Sequence, residues 1–301
     1  MFKHLLVPLD GTPRAEAAVP AAAGIAQRAG ATVSLLHVIE HHAPATIHGE
    51  RHLRTPEEAS AYLEGLRRCF STTGVSIACH VHTVETTDVA GEIADHVFDL
   101  NPDLVIMIRH GRPALREAVL GSLPQQVVAR GTVPVLLLRS APARLSAPPP
   151  FVCRRVMIPH DVSPAHEPAL PVGMEFARLW NAEARLVMIV PTLGTLAGFR
   201  GLAAQLLPGA TEAVLDIEQA EAQAHVSRHV EQMRSEGAVV SMEVIRGDPP
   251  RAIVRAAKAF GADLLVLGTH GKAGTQAFWA GSTAARVCAR FHAPVLLVPL
   301  R

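Results

Sequence analysis

Short apolar segments alternate with longer amphipathic segments along the chain. In the second half the apolar segments are nearly continuous, and they cover Val156–Pro159, Ala184–Val190, Val239–Ile245, Leu264–Gly268 and Val295–Val298. Strands that are buried on both faces of a parallel sheet have this character. The pattern therefore predicts a strand at each of these segments.

The segments between the predicted strands have helical periodicity. The longest example carries apolar residues three or four positions apart, namely Ala222, Val226, Val230 and Met233. This spacing predicts a helix over Thr211–Glu236, which ends at Gly237. Strands that alternate with helices predict right-handed crossovers and an open, doubly wound α/β sheet. Such sheets bind ligands beyond the carboxyl ends of their strands, where the strand order switches direction.

The two halves of the chain repeat each other. His4–Asp10 matches Arg155–Asp161 at an offset of 161 − 10 = 151, whereas Pro102–Ile106 matches Ala262–Val266 at an offset of 262 − 102 = 160. The second half thus carries 160 − 151 = 9 extra residues between its second strand and third helix. Duplication of one domain explains this self-similarity.

A proline-rich segment separates the two copies. Residues 141–150 include four prolines, and proline fixes φ and removes a backbone donor. We therefore predict a first domain over residues 1–140, a semi-rigid linker over 141–150 and a second domain over 151–301.

Composition narrows the range of functions. The 301 residues carry a net charge of +1, from 28 Lys and Arg against 27 Asp and Glu, so we expect no nucleic-acid partner. The most apolar stretch is interrupted by Pro191 and Gly194 and is too short for a bilayer span, so we expect no membrane insertion. The four cysteines form no CxxC pair, and we therefore expect a cytoplasmic protein.

One motif in the second copy has the features of a phosphate-binding loop. The predicted strand 264–268 runs into the pattern G-x2-G-x9-G-S, formed by Gly268, Gly271, Gly281 and Ser282. Glycine allows positive φ and a close approach of backbone to ligand, and a helix N-terminus attracts anions. His270 and Lys272 could add donors or positive charge near the phosphates. Capping of the last helix is an alternative role for Ser282.

Asp161 ends the first strand of the second copy and faces the same predicted crevice. Its carboxylate could accept hydrogen bonds from a ribose or a base, and we interpret it as a ligand residue. The alternative role is an N-cap of the following helix.

Together these residues resemble the universal stress protein family in its tandem, two-domain form. The resemblance rests on Pro-x-Asp after the first strand of each copy, on Leu36-His37-Val38, on Arg246-Gly247-Asp248-Pro249 and on the glycine pattern. It implies two Rossmann-like domains of the adenine nucleotide α-hydrolase type, each an open five-stranded parallel sheet with helices on both faces. Family members that carry the glycine pattern tend to bind ATP.

The resemblance also implies which residues bind the nucleotide, which is ATP or alternatively AMP or ADP, with or without Mg²⁺. Asp161 and the backbone of Ile189 would hold adenosine, and the glycine segment would surround the ribose and phosphates. The expected set is Pro159, His160, Asp161, Ile189, Gly268, Thr269, His270, Gly271, Lys272, Gly274, Gly281, Ser282 and Thr283.

The first copy departs from this pattern. Ile108 stands where the second copy has Gly268, and Thr87 stands where it has Gly247. A β-branched residue disfavours positive φ and brings bulk to the expected ribose position. We predict a weakened nucleotide site or a structural partner domain, which keeps Pro8, Asp10, Val38, Gly111, Gly121 and Ser122.

Sixteen histidines invite a metal-site hypothesis, but no cluster in the sequence carries it. His48 and His52 have i, i+4 spacing in a segment that contains Pro44 and Gly49, where a helix is disfavoured. His225 and His229 have the same spacing on an apolar helix face, where packing is the simpler role. We therefore assign no metal site and treat the cysteines as small apolar residues.

Motifs of common nucleotide enzymes are missing from the sequence. It contains no GxxxxGK[ST], no G-x-G-x-x-G after a strand and no GxSxG, and residues 268–283 include no acidic side chain. We expect a nucleotide-dependent stress-response regulator with at most weak ATP hydrolysis. The alternatives are a nucleotide-free interaction scaffold and a slow ATPase.

Two structural expectations complete the picture. The resemblance implies that the last strands of the two copies pair antiparallel inside one chain. Whether the whole chain also forms a homodimer is left open by the sequence. Residues 191–210 hold the insertion, which we regard as a candidate lid over the second site.

Overall fold

The computed structural model describes residues 1–47, 50–70, 73–109, 123–139, 151–161, 168–196, 198–270 and 282–300. The strands of the first half are β1 (His4–Pro8), β2 (Thr32–Glu40), β3 (Thr46–Ile47), β4 (Glu50–Arg51), β5 (Ile77–Thr86), β6 (Leu104–Arg109) and β7 (Val135–Arg139). Those of the second half are β8 (Arg155–Pro159), β9 (Glu183–Val190), β10 (Val240–Arg246), β11 (Leu264–His270) and β12 (Val295–Leu300).

Helices connect these strands in both halves. The first half contains α1 (Pro13–Glu16), α2 (Ala18–Ala29), α3 (Pro56–Cys69), α4 (Val89–Leu100) and α5 (Leu123–Arg130). The second half contains α6 (Ala169–Trp180), α7 (Gly198–Leu206), α8 (Pro208–Ser235), α9 (Pro249–Phe260) and α10 (Thr283–Cys288).

Ten of the described strands form one sheet in the order β10-β9-β8-β11-β12-β7-β6-β1-β2-β5. Within each half all neighbours are parallel. Each half therefore has the spatial order 3-2-1-4-5, which is the doubly wound α/β arrangement. The predicted fold class, with two tandem Rossmann-like domains of five parallel strands, is confirmed.

The two halves meet at their last strands. β7 and β12 pair antiparallel, with Val135 opposite Leu297 and Leu137 opposite Val295. Each strand thereby gains a neighbour on its outer side, and neither leaves an exposed edge at this position. The sheet is continuous from one half into the other.

Two apolar layers cover the sheet, one on each face. One layer contains buried residues of α2, α3, α6 and α8, and the other contains buried residues of α4, α5, α9 and α10. Both layers draw on both halves of the chain. Side chains alternate between the faces of a strand, so that Leu5 and Val7 join the first layer whereas Leu6 joins the second.

The predicted elements of the second half are found with small shifts at their ends. The helix predicted over residues 211–236 begins earlier, at Pro208, because proline is accepted in the first turn of a helix. The strand predicted to end at Gly268 continues to His270, since β12 also continues and pairs with it as far as Leu300. The insertion forms a 3₁₀ turn over Leu193–Thr195 and helix α7.

Within the described part of the chain, no helix combines the length and the apolar character that a bilayer span requires. All four cysteines carry free thiols. Burial raises the pKa of the Cys153 thiol to about 12 and that of Cys288 to about 11, so both stay protonated at neutral pH.

Candidate functional site

The strand order of the second half creates a crevice at the carboxyl ends of β8 and β11. The chain leaves β8 towards β9 on one side and later returns to β11 on the other side, so the winding direction reverses between β8 and β11. The two helix layers diverge at such a point and leave room for a ligand. Asp161 follows β8 by two residues, and Gly268, Thr269 and His270 end β11.

Backbone pairing positions the residues beside Asp161. The His160 N–H donates to the Val187 carbonyl at 2.9 Å, which extends the β8–β9 ladder past Pro159. Asp161 is half-buried directly after this bond. Ile189, expected to contact adenosine through its backbone, is half-buried in β9 opposite Ile245.

In the structure, glycine at position 268 is explained by packing inside the sheet and not by a turn. Its φ is not in the left-handed region, because it is an ordinary strand residue opposite Val298. A Cβ at Gly268 would lie 2.9 Å from Leu300 Cδ1, so a larger residue requires the Leu300 side chain to shift. The positive φ that glycine allows is therefore not used at Gly268.

The side chains of Thr269 in β11 and Ser282 before α10 make hydrogen bonds within the protein. The buried Thr269 hydroxyl donates to the Val298 carbonyl at 3.4 Å. Ser282 is the N-cap of α10, because its Oγ accepts from the Ala285 N–H at 3.1 Å. The capping role of Ser282 is thus found, and a phosphate contact by Ser282 or Thr283 stays a prediction. For His270 only the backbone is described, and Gly271, Lys272, Gly274 and Gly281 lie outside the described residues.

His160 turns towards the helix layer. His160 is 6% exposed, and its ring lies beside the rings of His225 and His229 on α8, with centroids 5.8 and 5.6 Å away. This three-histidine contact is the feature that sequence reasoning missed. The i, i+4 spacing of His225 and His229 was a signal, but the approach of His160 depends on how α8 crosses the sheet.

In the first half, residues before α3 pack against the segment that follows β1. Leu53 packs so closely on Gly11 that a Cβ there would lie 2.7 Å from Leu53 Cγ. His37 Nδ1 donates to the Leu9 carbonyl at 2.8 Å, and His52 is buried nearby. Burial is the largest effect on His37 and lowers its pKa, so its imidazole is neutral at pH 7.

The retained residues of the first half are engaged in local structure. Asp10 accepts from the N–H of Thr12 at 2.9 Å and from its hydroxyl at 2.7 Å, and Thr12 in turn caps α1. Val38 and Ile108 are 7% and 8% exposed, and Ile108 belongs to the apolar layer above α2. Pro8 is half-buried opposite Leu36, whereas Gly111, Gly121 and Ser122 lie outside the described residues.

Fold and crevice define the class of protein. Two doubly wound α/β domains in tandem, each with Pro-x-Asp at its switch point, make a duplicated protein of the Rossmann-like type. The chain belongs to the universal stress protein family, whose model matches residues 1–139 and again residues 153–299.

Two related proteins match about half of the chain each, and one solved structure matches nearly all of it. Universal stress protein MJ0531 of Methanocaldococcus jannaschii is 30% identical over 145 residues, which cover 48% of this chain and 81% of that protein. Universal stress protein G of Salmonella typhimurium is 30% identical over 149 residues, which cover 46% of this chain and all of that protein. A crystal structure of a universal stress protein from Archaeoglobus fulgidus covers 99% of this chain and 96% of its own, with a TM-score of 0.66 and 16% identity. That likeness shows the fold.

Proposed function

We propose that the second domain binds ATP, or AMP or ADP, and that the protein acts as a nucleotide-dependent regulator in a stress response. The observation that carries this proposal is the meeting of Asp161 and the end of β11 at the switch point of the second domain. The carboxylate at one side of this crevice suits a ribose or a base, and the glycine-rich segment after β11 suits phosphates.

Charge in the sequence supports an anionic ligand at this place. Residues 268–283 contain Lys272 and no acidic side chain, so phosphate groups would meet no repulsion from that segment. The same lack of carboxylates argues against efficient phosphoryl transfer, which needs groups that hold a metal ion or orient water. A Mg²⁺ ion, if it accompanies the nucleotide, would be held mainly by the phosphates.

The contrast between the halves supports the assignment to the second domain. In the first half the buried Ile108 stands where the second half has Gly268, and Leu53 packs on Gly11 in the segment that follows β1. We propose that the first domain, over residues 1–140, is a structural partner. The antiparallel pair of β7 and β12 supports this role, because it gives one chain the arrangement of a dimer. A homodimer of the whole chain and a cytoplasmic location stay predictions.

Calorimetric titration of ATP into the purified chain tests the proposal. We expect saturable binding of one nucleotide per chain in the wild type. Asp161→Ala should weaken binding about tenfold or more, since a hydrogen bond to a charged group contributes about 1.5–3 kcal/mol. Gly281→Val should weaken it too, because a side chain would stand where backbone approaches the phosphates.

Asp10→Ala is the matched control, because Asp10 occupies the equivalent position of the first half. It should leave ATP affinity unchanged. Absence of saturable binding in the wild type would favour the nucleotide-free scaffold. Equal losses in the two aspartate variants would contradict the assignment to the second domain.

A further inference from the structure

Three histidines from distant parts of the chain converge between the sheet and α8. His160 directly follows β8, whereas His225 and His229 lie one turn apart on α8. One potential ligand atom from each of them lies within 4.8 Å of the other two. The ring centroids of His225 and His229 are 4.5 Å apart. The His225 ring is nearly parallel to that of His160, with 19° between their planes, whereas the His229 ring meets it at 61°.

The backbone explains why the three rings meet. Strand residues alternate between faces, so residues two positions apart lie on the same face. His160 lies two positions after Ile158, which belongs to the layer that includes α8. On α8 the buried residues Val226 and Val230 face the sheet, and His225 and His229 each precede one of them. This places both imidazoles along the margin of the buried helix face.

The hydrogen bond of His229 sets its tautomer. Its Nδ1 lies 3.1 Å from the His225 carbonyl oxygen, and a carbonyl can only accept, so Nδ1 carries the proton. In the neutral ring Nε2 then carries the lone pair. Histidines that bind metals use this arrangement, in which one ring nitrogen donates to a carbonyl and the other binds the ion.

Burial strengthens the case for a specific site. His160 is 6% exposed and the other two rings are half-buried, and the Nε2 atoms of His160 and His225 are both buried. Ordinary surface histidines at i, i+4 are solvated and lack a third imidazole above them. Here a strand end supplies that third ring.

We propose that His160, His225 and His229 bind one divalent transition-metal ion, with Zn²⁺ the best fit. Imidazole nitrogens suit Zn²⁺, which takes three histidines and a water molecule in a tetrahedral shell with Zn–N distances of about 2.0–2.1 Å. Ligand nitrogens in such a shell lie about 3.3 Å apart. The ligand atoms of the three histidines now lie within 4.8 Å of one another, so small side-chain rotations would bring them to that distance. The ion would fasten α8 to the end of β8, beside the proposed nucleotide crevice.

Metal titration without nucleotide tests this site separately from the proposed function. The full chain, freed of any polyhistidine tag and stripped with a chelator, is titrated with Zn²⁺ against a chromophoric competitor. The wild type should bind one Zn²⁺ per chain, and Co²⁺ in its place should give the visible absorption of a tetrahedral complex. His225→Gln and His229→Gln should each lower Zn²⁺ affinity more than about 100-fold, since loss of a ligand exceeds the effect of an outer-shell change.

His82→Gln is the matched control. His82 also contacts another histidine, with its Nδ1 3.2 Å from His96 Nε2, and it lies 3.3 Å from a Glu92 oxygen, but it is outside the cluster. This variant should keep wild-type affinity. Circular dichroism of the metal-free proteins shows which variants are folded. His225 and His229 are both only half-buried, so we expect their variants to fold, and one folded helix variant is enough for the test.

Two outcomes would overturn the proposal. One is a Zn²⁺ affinity of the wild type that is no higher than that of the His225→Gln variant. The other is loss of binding in His82→Gln with retention in the helix variants, which would locate the metal at the His82 cluster instead. Because no nucleotide is present, neither outcome depends on whether ATP binds.

Discussion

Two residues at the crevice, Gly268 and Ser282, have structural roles that do not depend on a ligand. Gly268 leaves room for the Leu300 side chain, and Ser282 caps α10. Sequence reasoning identified these positions through their spacing, but it could not separate a packing role from a binding role. That separation depends on neighbours such as Leu300, which lies 32 residues further along (300 − 268).

Ser282 offers a substitution that separates its two roles. Asn and Asp cap helices about as well as Ser, so Ser282→Asn and Ser282→Asp should both leave the unfolding temperature nearly unchanged. Only the aspartate adds a negative charge at the expected phosphate position. We therefore expect Ser282→Asp to abolish ATP binding in calorimetry and Ser282→Asn to retain it. Equal ATP affinity in the two variants would place the phosphates elsewhere.

At the scale of elements, the sequence predicted strands and helices well and their ends less well. Apolar runs located the five strands of the second half, because most of their positions are buried in the two layers. The edge strand β10 is the exception, since only Val240 is fully buried there and Ser241 and Glu243 are polar. Strand ends depend on the partner strand, as the extension of β11 along β12 shows. The packing of Leu53 over Gly11 was not predictable from periodicity, since a loop follows no period.

One element of the second half depends on a residue of the first. The Arg109 guanidinium, at the end of β6, donates to the carbonyls of Cys288 at 2.6 Å and Ala293 at 3.1 Å, and also to that of Phe291. Cys288 is the last residue of α10, and Phe291 and Ala293 follow the helix, so the arginine satisfies acceptors at and beyond its carboxyl end. Burial lowers the pKa of Arg109, although an arginine stays charged at neutral pH.

Arg109→Met should therefore loosen α10 and the junction of the two halves. Loss of a charged donor from buried carbonyls should lower the free energy of unfolding by about 2–4 kcal/mol in a denaturant titration. Arg139→Met is the control, because Arg139 lies opposite Arg109 in the sheet but is exposed. Its effect should stay within about 0.5 kcal/mol. Similar effects in the two variants would show that the Arg109 contacts add nothing to stability.

At the scale of the whole molecule, the two copies share a fold but differ in their crevices. Their common sheet and shared apolar layers make one body, and Phe2 of the first half packs on Phe176 of the second at a centroid distance of 5.2 Å. The repeat predicted this duplication because it preserves the positions of strands. The meeting of His160 with α8 was beyond prediction, since it depends on how a helix of the insertion-bearing half lies across the sheet.

We propose that the adenine nucleotide binds mainly in the second half. Photolabelling with an ATP analogue that carries an azide on its adenine, followed by peptide mapping, tests it most directly. We expect a saturable adduct on peptides from residues 155–190, the segment of β8 and β9, and we expect excess ATP to prevent it. An adduct on the equivalent peptides of residues 4–40, or labelling that ATP does not reduce, would contradict it.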